Sequence, residues 1–191
     1  MKLHMLCLAA ATVIAALPAQ AATTIVGDAA MHTCARIAAA APSSSPALNS
    51  AIGHCNDALT GKLRDADRTA TLVNRGILRA ASGSTDAALR DFDTALARDA
   101  HLASAYVSRG AALMQVRRFT EAQADFSRAL ALGPAGAEKI YFNRGMAHEQ
   151  MGDLRAAYDD YRQAAMLAPE FAAPRQELAR FQLVQRRVAR N

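Results

Sequence analysis

The sequence predicts an all-α solenoid of antiparallel helix pairs. Three observations predict it. First, a tripeptide recurs as Asn74-Arg75-Gly76, Ser108-Arg109-Gly110 and Asn143-Arg144-Gly145, with its glycines 34 and 35 residues apart. Second, other positions keep step with it: Ala88, Ala122 and Ala157; Asp91-Phe92, Asp125-Phe126 and Asp160-Tyr161; Ala95, Ala129 and Ala164. Third, each unit holds two apolar-periodic stretches split by a short turn, the pattern of two amphipathic helices per repeat.

The stretches are Thr69–Ala81 and Thr85–Arg98, Ala103–Val116 and Thr120–Leu132, then Ala137–Met151 and Asp153–Leu167. Gly83 and Gly152 stand where first helices end, as glycine does at C-caps. Thr85, Thr120 and Asp153 are expected N-caps for second helices. Gly76, Gly110 and Gly145 fall inside first helices, where glycine costs about 1 kcal/mol against alanine. A cost repeated three times needs a reason. The expected reason is close approach of the paired helix at Ala88, Ala122 and Ala157, with Phe92, Phe126 and Tyr161 filling the space between adjacent helices.

At these residues the chain resembles the tetratricopeptide repeat family, in an Asn-Arg-Gly variant. The resemblance runs from about Thr69 to Glu170. It implies a right-handed superhelical solenoid with units at 69–102, 103–137 and 138–171. The departures are local. Leu72 takes the large first-helix place that Tyr106 and Tyr141 fill elsewhere. Arg117 stands where units one and three have a helix-ending glycine. Unit three is delayed by one residue around Pro134-Ala135-Gly136.

Upstream, residues 22–68 read as a degenerate helix pair with a linker. Asp28–Ala40 and Ala47–Leu59 are the expected helices, Pro42 to Pro46 is a loop, and Gly61–Arg68 is the connection. Ala51, Cys55 and Ala58 keep the spacing of Ala88, Phe92 and Ala95, which puts Cys55 in the aromatic place. Downstream, residues 172–191 read as a capping helix, because a terminal repeat would otherwise expose an apolar face. Leu178, Phe181, Val184 and Val188 form its apolar stripe.

Residues 1–21 have the order of a secretory signal peptide. Lys2 comes first, then an apolar run from Leu3 to Leu17, then Pro18 and Ala19-Gln20-Ala21 as a cleavage site. That run is short of the roughly 20 residues a membrane span needs. The expectation is an exported protein with no integral span after cleavage, periplasmic in a bacterium with two membranes. Export also bears on the cysteines. Cys7 leaves with the signal, and Cys34 and Cys55 remain, an even count in an oxidising compartment. They are expected to form a disulfide. The loop it closes gives a stabilisation of about 3 kcal/mol. His32 and His54 beside them suggest zinc, but neighbours on a helix point to different sides and the spacing is wrong for the ion.

The formal net charge is +5. Nearly all of it lies in the last segment, where Arg175, Arg180, Arg186, Arg187 and Arg190 face Glu177 alone. The balanced remainder and the export signal argue against a nucleic-acid partner. The basic face of the last helix reads as solvated. Its alternative is contact with an anionic envelope surface or an acidic partner.

No His-Glu-x-x-His, Gly-x-Ser-x-Gly or phosphate-cradling glycine loop occurs. His101 and His148 have no metal-ligand spacing. No cofactor and no catalytic site are expected. The ionic regularity of Arg75/Asp91, Arg109/Asp125 and Arg144/Asp160 has two readings: a ladder that grips carboxylates, or ion pairs that tie helices together. Repetition in step with core positions favours the second.

The resemblance implies that first helices line a concave face that binds a peptide or protein segment. On it would stand Val73, Asn74 and Ile77 of unit one. Unit two would add Val107, Ser108, Ala111 and Met114. Unit three would add Lys139, Phe142, Asn143, Met146 and Glu149. Chaperone-tail-binding members clamp a terminal carboxylate with Lys, Arg and Asn. Here Val73, Ile77, Ser108 and Asn143 depart from that clamp and only Lys139 agrees. The expected function is a non-catalytic scaffold or adaptor whose groove suits an extended or amphipathic segment. The alternatives are a structural subunit of an envelope assembly, acting through its convex face or last helix, and an enzyme with an unrecognised site.

Overall fold

The computed structural model describes residues 29–40 and 44–188, with side chains from Ala30 to Phe181. The expected signal peptide and the Pro42-Ser43 part of the expected loop lie outside the described residues. Nine helices and no strand are found among those described: α1 (Ala29–Ala40), α2 (Ser45–Thr60), α3 (Asp65–Ala81), α4 (Thr85–Arg98), α5 (Ala103–Gln115), α6 (Phe119–Ala131), α7 (Ala137–Gln150), α8 (Leu154–Leu167) and α9 (Ala172–Val188). Each helix packs on the next, and the first helices of successive units also meet, α3 on α5 and α5 on α7. This is an α-solenoid.

The core runs through the stack along the repeat positions. Ala88, Phe92 and Ala95, their counterparts Ala122, Phe126 and Ala129, and Ala157 and Ala164 are fully buried. The glycines of the tripeptide face the rings. A Cβ on Gly76 would stand 2.6 Å from Cε1 of Phe92, one on Gly110 2.8 Å from Cε1 of Phe126, and one on Gly145 2.8 Å from Cδ1 of Tyr161. The expected approach of the paired helix at the alanines is corrected by this. It is the aromatic edge, not alanine backbone, that occupies the space, although the Ala157 carbonyl lies 3.3 Å from the Gly145 position.

The turn within each unit repeats one geometry. Gly83 and Gly152 have φ of +81° and +84°, and Arg117 takes the same left-handed place at +61°. The following N–H reaches back five residues, from Ser84 to the Arg79 carbonyl, from Arg118 to Leu113 and from Asp153 to His148, at 2.8 to 3.0 Å. This satisfies a last-turn carbonyl of each first helix. The residue after the left-handed one is therefore the N-cap. Asp153 fills that role with its side chain, accepting from the Ala156 N–H at 3.0 Å. Thr85 and Thr120 do not. Thr85 is the first residue of α4, behind Ser84, and Thr120 lies inside α6, behind Arg118 and Phe119.

α3 starts at Asp65, earlier than the expected Thr69, and the connection shortens to residues 61–64. Asp65 and Asp67 sit in its first turn, where negative charge meets the positive end of the helix dipole. Arg68 donates to the Leu59 and Gly61 carbonyls at 2.9 and 3.0 Å and ties α3 to the end of α2. Cys34 and Cys55 are disulfide-bonded and fully buried, with Cα atoms 4.9 Å apart. The bond staples α1 to α2 in a small core with Ala38, Leu48, Ala51 and Leu78 of α3.

Candidate functional site

The candidate surface is the face shared by α3, α5 and α7. The structure divides its twelve expected residues. Asn74, Ile77, Ser108, Ala111, Met114, Lys139, Met146 and Glu149 are half-buried. Val73, Val107, Phe142 and Asn143 are 5–7% exposed and belong to the core. Val73 and Val107 join one continuous cluster with Phe92 and Phe126. Phe142 packs against Tyr161 and Phe171, with ring centroids 5.5 and 5.3 Å away. The reason is geometric. A first helix is gripped by its own partner and by the second helix of the preceding unit, so its buried arc is wider than that of a helix packed on one side.

Glu149 is also committed internally. Its carboxylate accepts from the Tyr161 hydroxyl at 2.9 Å and from Arg180 of α9 at 2.6 Å. Burial, and then the Glu149 charge, push the Tyr161 phenol well above its ordinary range. Among the half-buried residues, Ile77, Ala111 and Met146 hold one place of the repeat, each following the tripeptide glycine, and Met114 lies about one turn further along α5. Asn74 and Ser108 precede them by three residues on α3 and α5, and Lys139 lies in the first turn of α7.

The arginines of the tripeptide form a ladder inside the stack. Arg75 Nε and Nη2 donate to the two oxygens of Asp91 at 2.9 and 2.6 Å. Arg109 and Arg144 repeat this fork on Asp125 and Asp160 at 2.7–2.8 Å. The three carboxylates are nearly buried and the guanidinium groups about one-fifth exposed. The third nitrogen of each arginine crosses to the preceding unit. Nη1 of Arg75 meets Asn56, that of Arg109 meets Asp93 and that of Arg144 meets Ser127, at 2.9, 2.6 and 3.1 Å. Hydrogen bonds to Asp125 and Asp160 raise the pKa of Arg109 and Arg144 above the usual guanidinium range. The structural reading of the arginines is the one found. Each guanidinium fastens two helices of its own unit and one of the unit before.

Sequence reasoning missed the acceptors of those crossing bonds. Their signal was present: Asn56, Asp93 and Ser127 each follow the residue in the aromatic place, Cys55, Phe92 or Phe126. The corresponding residue of unit three is Arg162, and it is exposed.

α9 covers the end of unit three. Leu178 and Phe181 pack with Phe142 and Tyr161, and Arg180 donates from Nε to Glu177 and from Nη2 to Glu149. Arg180 is thus spent within the fold and Arg175 is exposed. The side chains of Val184, Arg186, Arg187, Val188 and Arg190 lie outside those described. Among the described residues no group of three or more His, Cys, Asp or Glu side chains could hold a metal ion. No described helix is long and apolar enough to cross a membrane.

Residues 138–171 match the family model described as tetratricopeptide repeat. A stretch of 73 residues is 41% identical to rat (Rattus norvegicus) NADPH oxidase activator 1, covering 38% of this chain and 16% of that protein. The chain therefore spans about one-sixth of that relative's length. In fold it is similar to MamA from Desulfovibrio magneticus RS-1, with a TM-score of 0.68 and 19% identity over 84% of this chain and 88% of that one. It is also similar to the first TPR of Spaghetti (RPAP3), solved bound to the HSP90 peptide SRMEEVD, with a TM-score of 0.60 and 23% identity over 65% of this chain and 98% of that one.

Proposed function

Since the chain is a tetratricopeptide-repeat protein, a fold that serves as a protein–protein interaction scaffold, we propose that it holds a segment of another polypeptide on the face of α3, α5 and α7. The observation that carries this is the strip of Ile77, Ala111, Met114 and Met146, half-buried side chains running across three units with polar borders. Apolar centre and polar rim are the anatomy of a recognition surface. Methionine suits a surface that adapts to its ligand.

The strip selects the class of segment. The RPAP3 repeat domain was solved with the HSP90 peptide SRMEEVD, whose last four residues are acidic but for one valine. On this chain Lys139 alone is a basic side chain among the expected contact positions. The ladder arginines are occupied by aspartates. A carboxylate clamp lacks its donors, and an extended or amphipathic apolar segment fits better.

The test is capture by the mature chain beside its Ala111→Glu/Met146→Glu variant, after both show equal helical circular dichroism. Val107 is left intact, because its burial would make a charge there a folding defect. A partner held by the wild type and lost by the variant supports the reading. Equal capture by both removes the groove from it.

We further propose export through cleavage after Ala21. The order of residues 1–21 and the placement of Cys34 against Cys55 support it. Mass spectrometry of protein expressed from the full chain should find Ala22 as the first residue. An intact Met1 in the envelope fraction would refute it.

A further inference from the structure

Comparing the units with one another picks out a place that unit one fills and unit two leaves open. Arg79 stands three residues after Gly76. Its Nη1 donates to Asp91 Oδ2 at 2.7 Å and to the Ala87 carbonyl at 3.5 Å. Asp91 thus receives two guanidinium groups, from Arg75 and Arg79. In unit three the same place holds His148, with Nε2 3.8 Å from Asp160 Oδ2. In unit two it holds Leu113. The hydrogen bonds to Asp125 come from Arg109 alone.

A cleft of about 310 Å³ opens there. Arg109, Leu113, Glu121 and Asp125 line it, and these are the counterparts of Arg75, Arg79, Ala87 and Asp91. The cleft therefore sits where the Arg79 side chain lies in unit one. Leu89 and Asp93 of α4, Ala124 of α6 and Arg118 at the α6 N-cap complete its walls.

The lining describes its ligand. Leu89, Leu113 and Ala124 offer an apolar wall for a methylene stem. Asp125, 5% exposed, offers an oxygen that in unit one takes a second guanidinium. Glu121 adds a carboxylate where unit one has Ala87. Three acids face two bases, because Arg109 is held by Asp125 and Asp93, and Arg118 by Glu121. A planar, always-charged fork matches buried carboxylate oxygens better than a compact ammonium does.

We propose that this cleft is a binding site for an alkyl-guanidinium, supplied as the arginine side chain of a partner polypeptide. It is built from α4, α5 and α6. It is separate from the face of α3, α5 and α7, and either site can fail without the other.

The experiment is a methyl NMR titration of the full mature chain, read at Leu89 and Leu113. The probes are N-acetyl-arginine methylamide, its uncharged isostere N-acetyl-citrulline methylamide, and the blocked tripeptide Ala-Arg-Ala. The arginine probes should shift both residues saturably. Citrulline should bind about tenfold more weakly or worse, as expected for a lost charge-assisted hydrogen bond. Leu113→Arg should fill the site from within and abolish the shifts at Leu89. Glu121→Gln, which removes one carboxylate charge at the exposed rim where Arg118 forks onto it, should weaken binding several-fold while helical circular dichroism matches the wild type's. Tighter binding of the tripeptide supports a polypeptide source, and equal binding supports the same site with a free guanidino compound. The proposal is overturned if no arginine probe gives a saturable shift, if citrulline matches arginine, or if Glu121→Gln binds as the wild type does.

Discussion

Gly76→Ala would place a methyl carbon 2.6 Å from Cε1 of Phe92, 2.8 Å from Cζ and 2.9 Å from Cδ1. Carbon atoms in contact prefer about 3.5–4.0 Å, so the ring must retreat by roughly 1 Å. Phe92 is fully buried within the main core cluster, so its retreat must displace neighbouring side chains. Overpacking of this kind costs about 1–3 kcal/mol. Against it stands the helix propensity of alanine, which returns about 1 kcal/mol. The expected net is a destabilisation of about 1–2 kcal/mol, or several degrees in Tm for a domain of this size. The assay is thermal and urea unfolding followed by helical circular dichroism. The cause is isolated by Phe92→Leu, which removes the ring edge. Adding Gly76→Ala to that background should be neutral or stabilising. If Gly76→Ala raises Tm in the wild-type background, the steric account of the glycine is wrong. If Phe92→Leu fails to relieve the cost, helix approach rather than the ring sets it.

Three further outcomes follow from the same geometry. Asp91 holds two guanidinium groups and Asp125 one, so Asp91→Asn should cost more than Asp125→Asn, by about 1 kcal/mol after discounting for the partly exposed arginines; paired urea titrations measure it. Arg117→Gly should stabilise by about 0.5–1 kcal/mol, since a left-handed backbone penalises any Cβ and the stacking of Arg117 on Phe119 at 5.4 Å returns only part of that; Tm is the readout. The Tyr161 phenol is raised in the folded state, so its contribution is complete below the ordinary tyrosine pKa of about 10 and is lost as pH rises beyond it. Tyr161→Phe should therefore lose less stability between about pH 9 and pH 11 than the wild type, and parallel losses would contradict this.

The sequence carried the helices, their pairing and the solenoid, because period and amphipathicity are properties of the chain itself. Cys55 in the aromatic place was legible for the same reason. The groove was legible only in outline. Hydropathy shows which side of α5 is apolar, but not where the preceding unit stops covering it, and so Val107 and Met114 looked alike. The N-caps at Ser84 and Arg118, in place of the expected Thr85 and Thr120, are not legible in side-chain type, since the left-handed residue before them fixes the position. The cleft beside Leu113 was invisible. Leu113 is an ordinary apolar residue until it is set against Arg79 and His148 in the register of the structure.

The ladder also has an end. Each tripeptide arginine needs an oxygen from the unit before it, and Asn56, Asp93 and Ser127 supply one. Arg162 holds the next socket, and a guanidinium there would repel the arginine of a fourth copy. The array thus carries its own stop signal. Duplicating unit three by recombination would set like charges at the new joint, and a lengthened version should emerge only together with a change at Arg162.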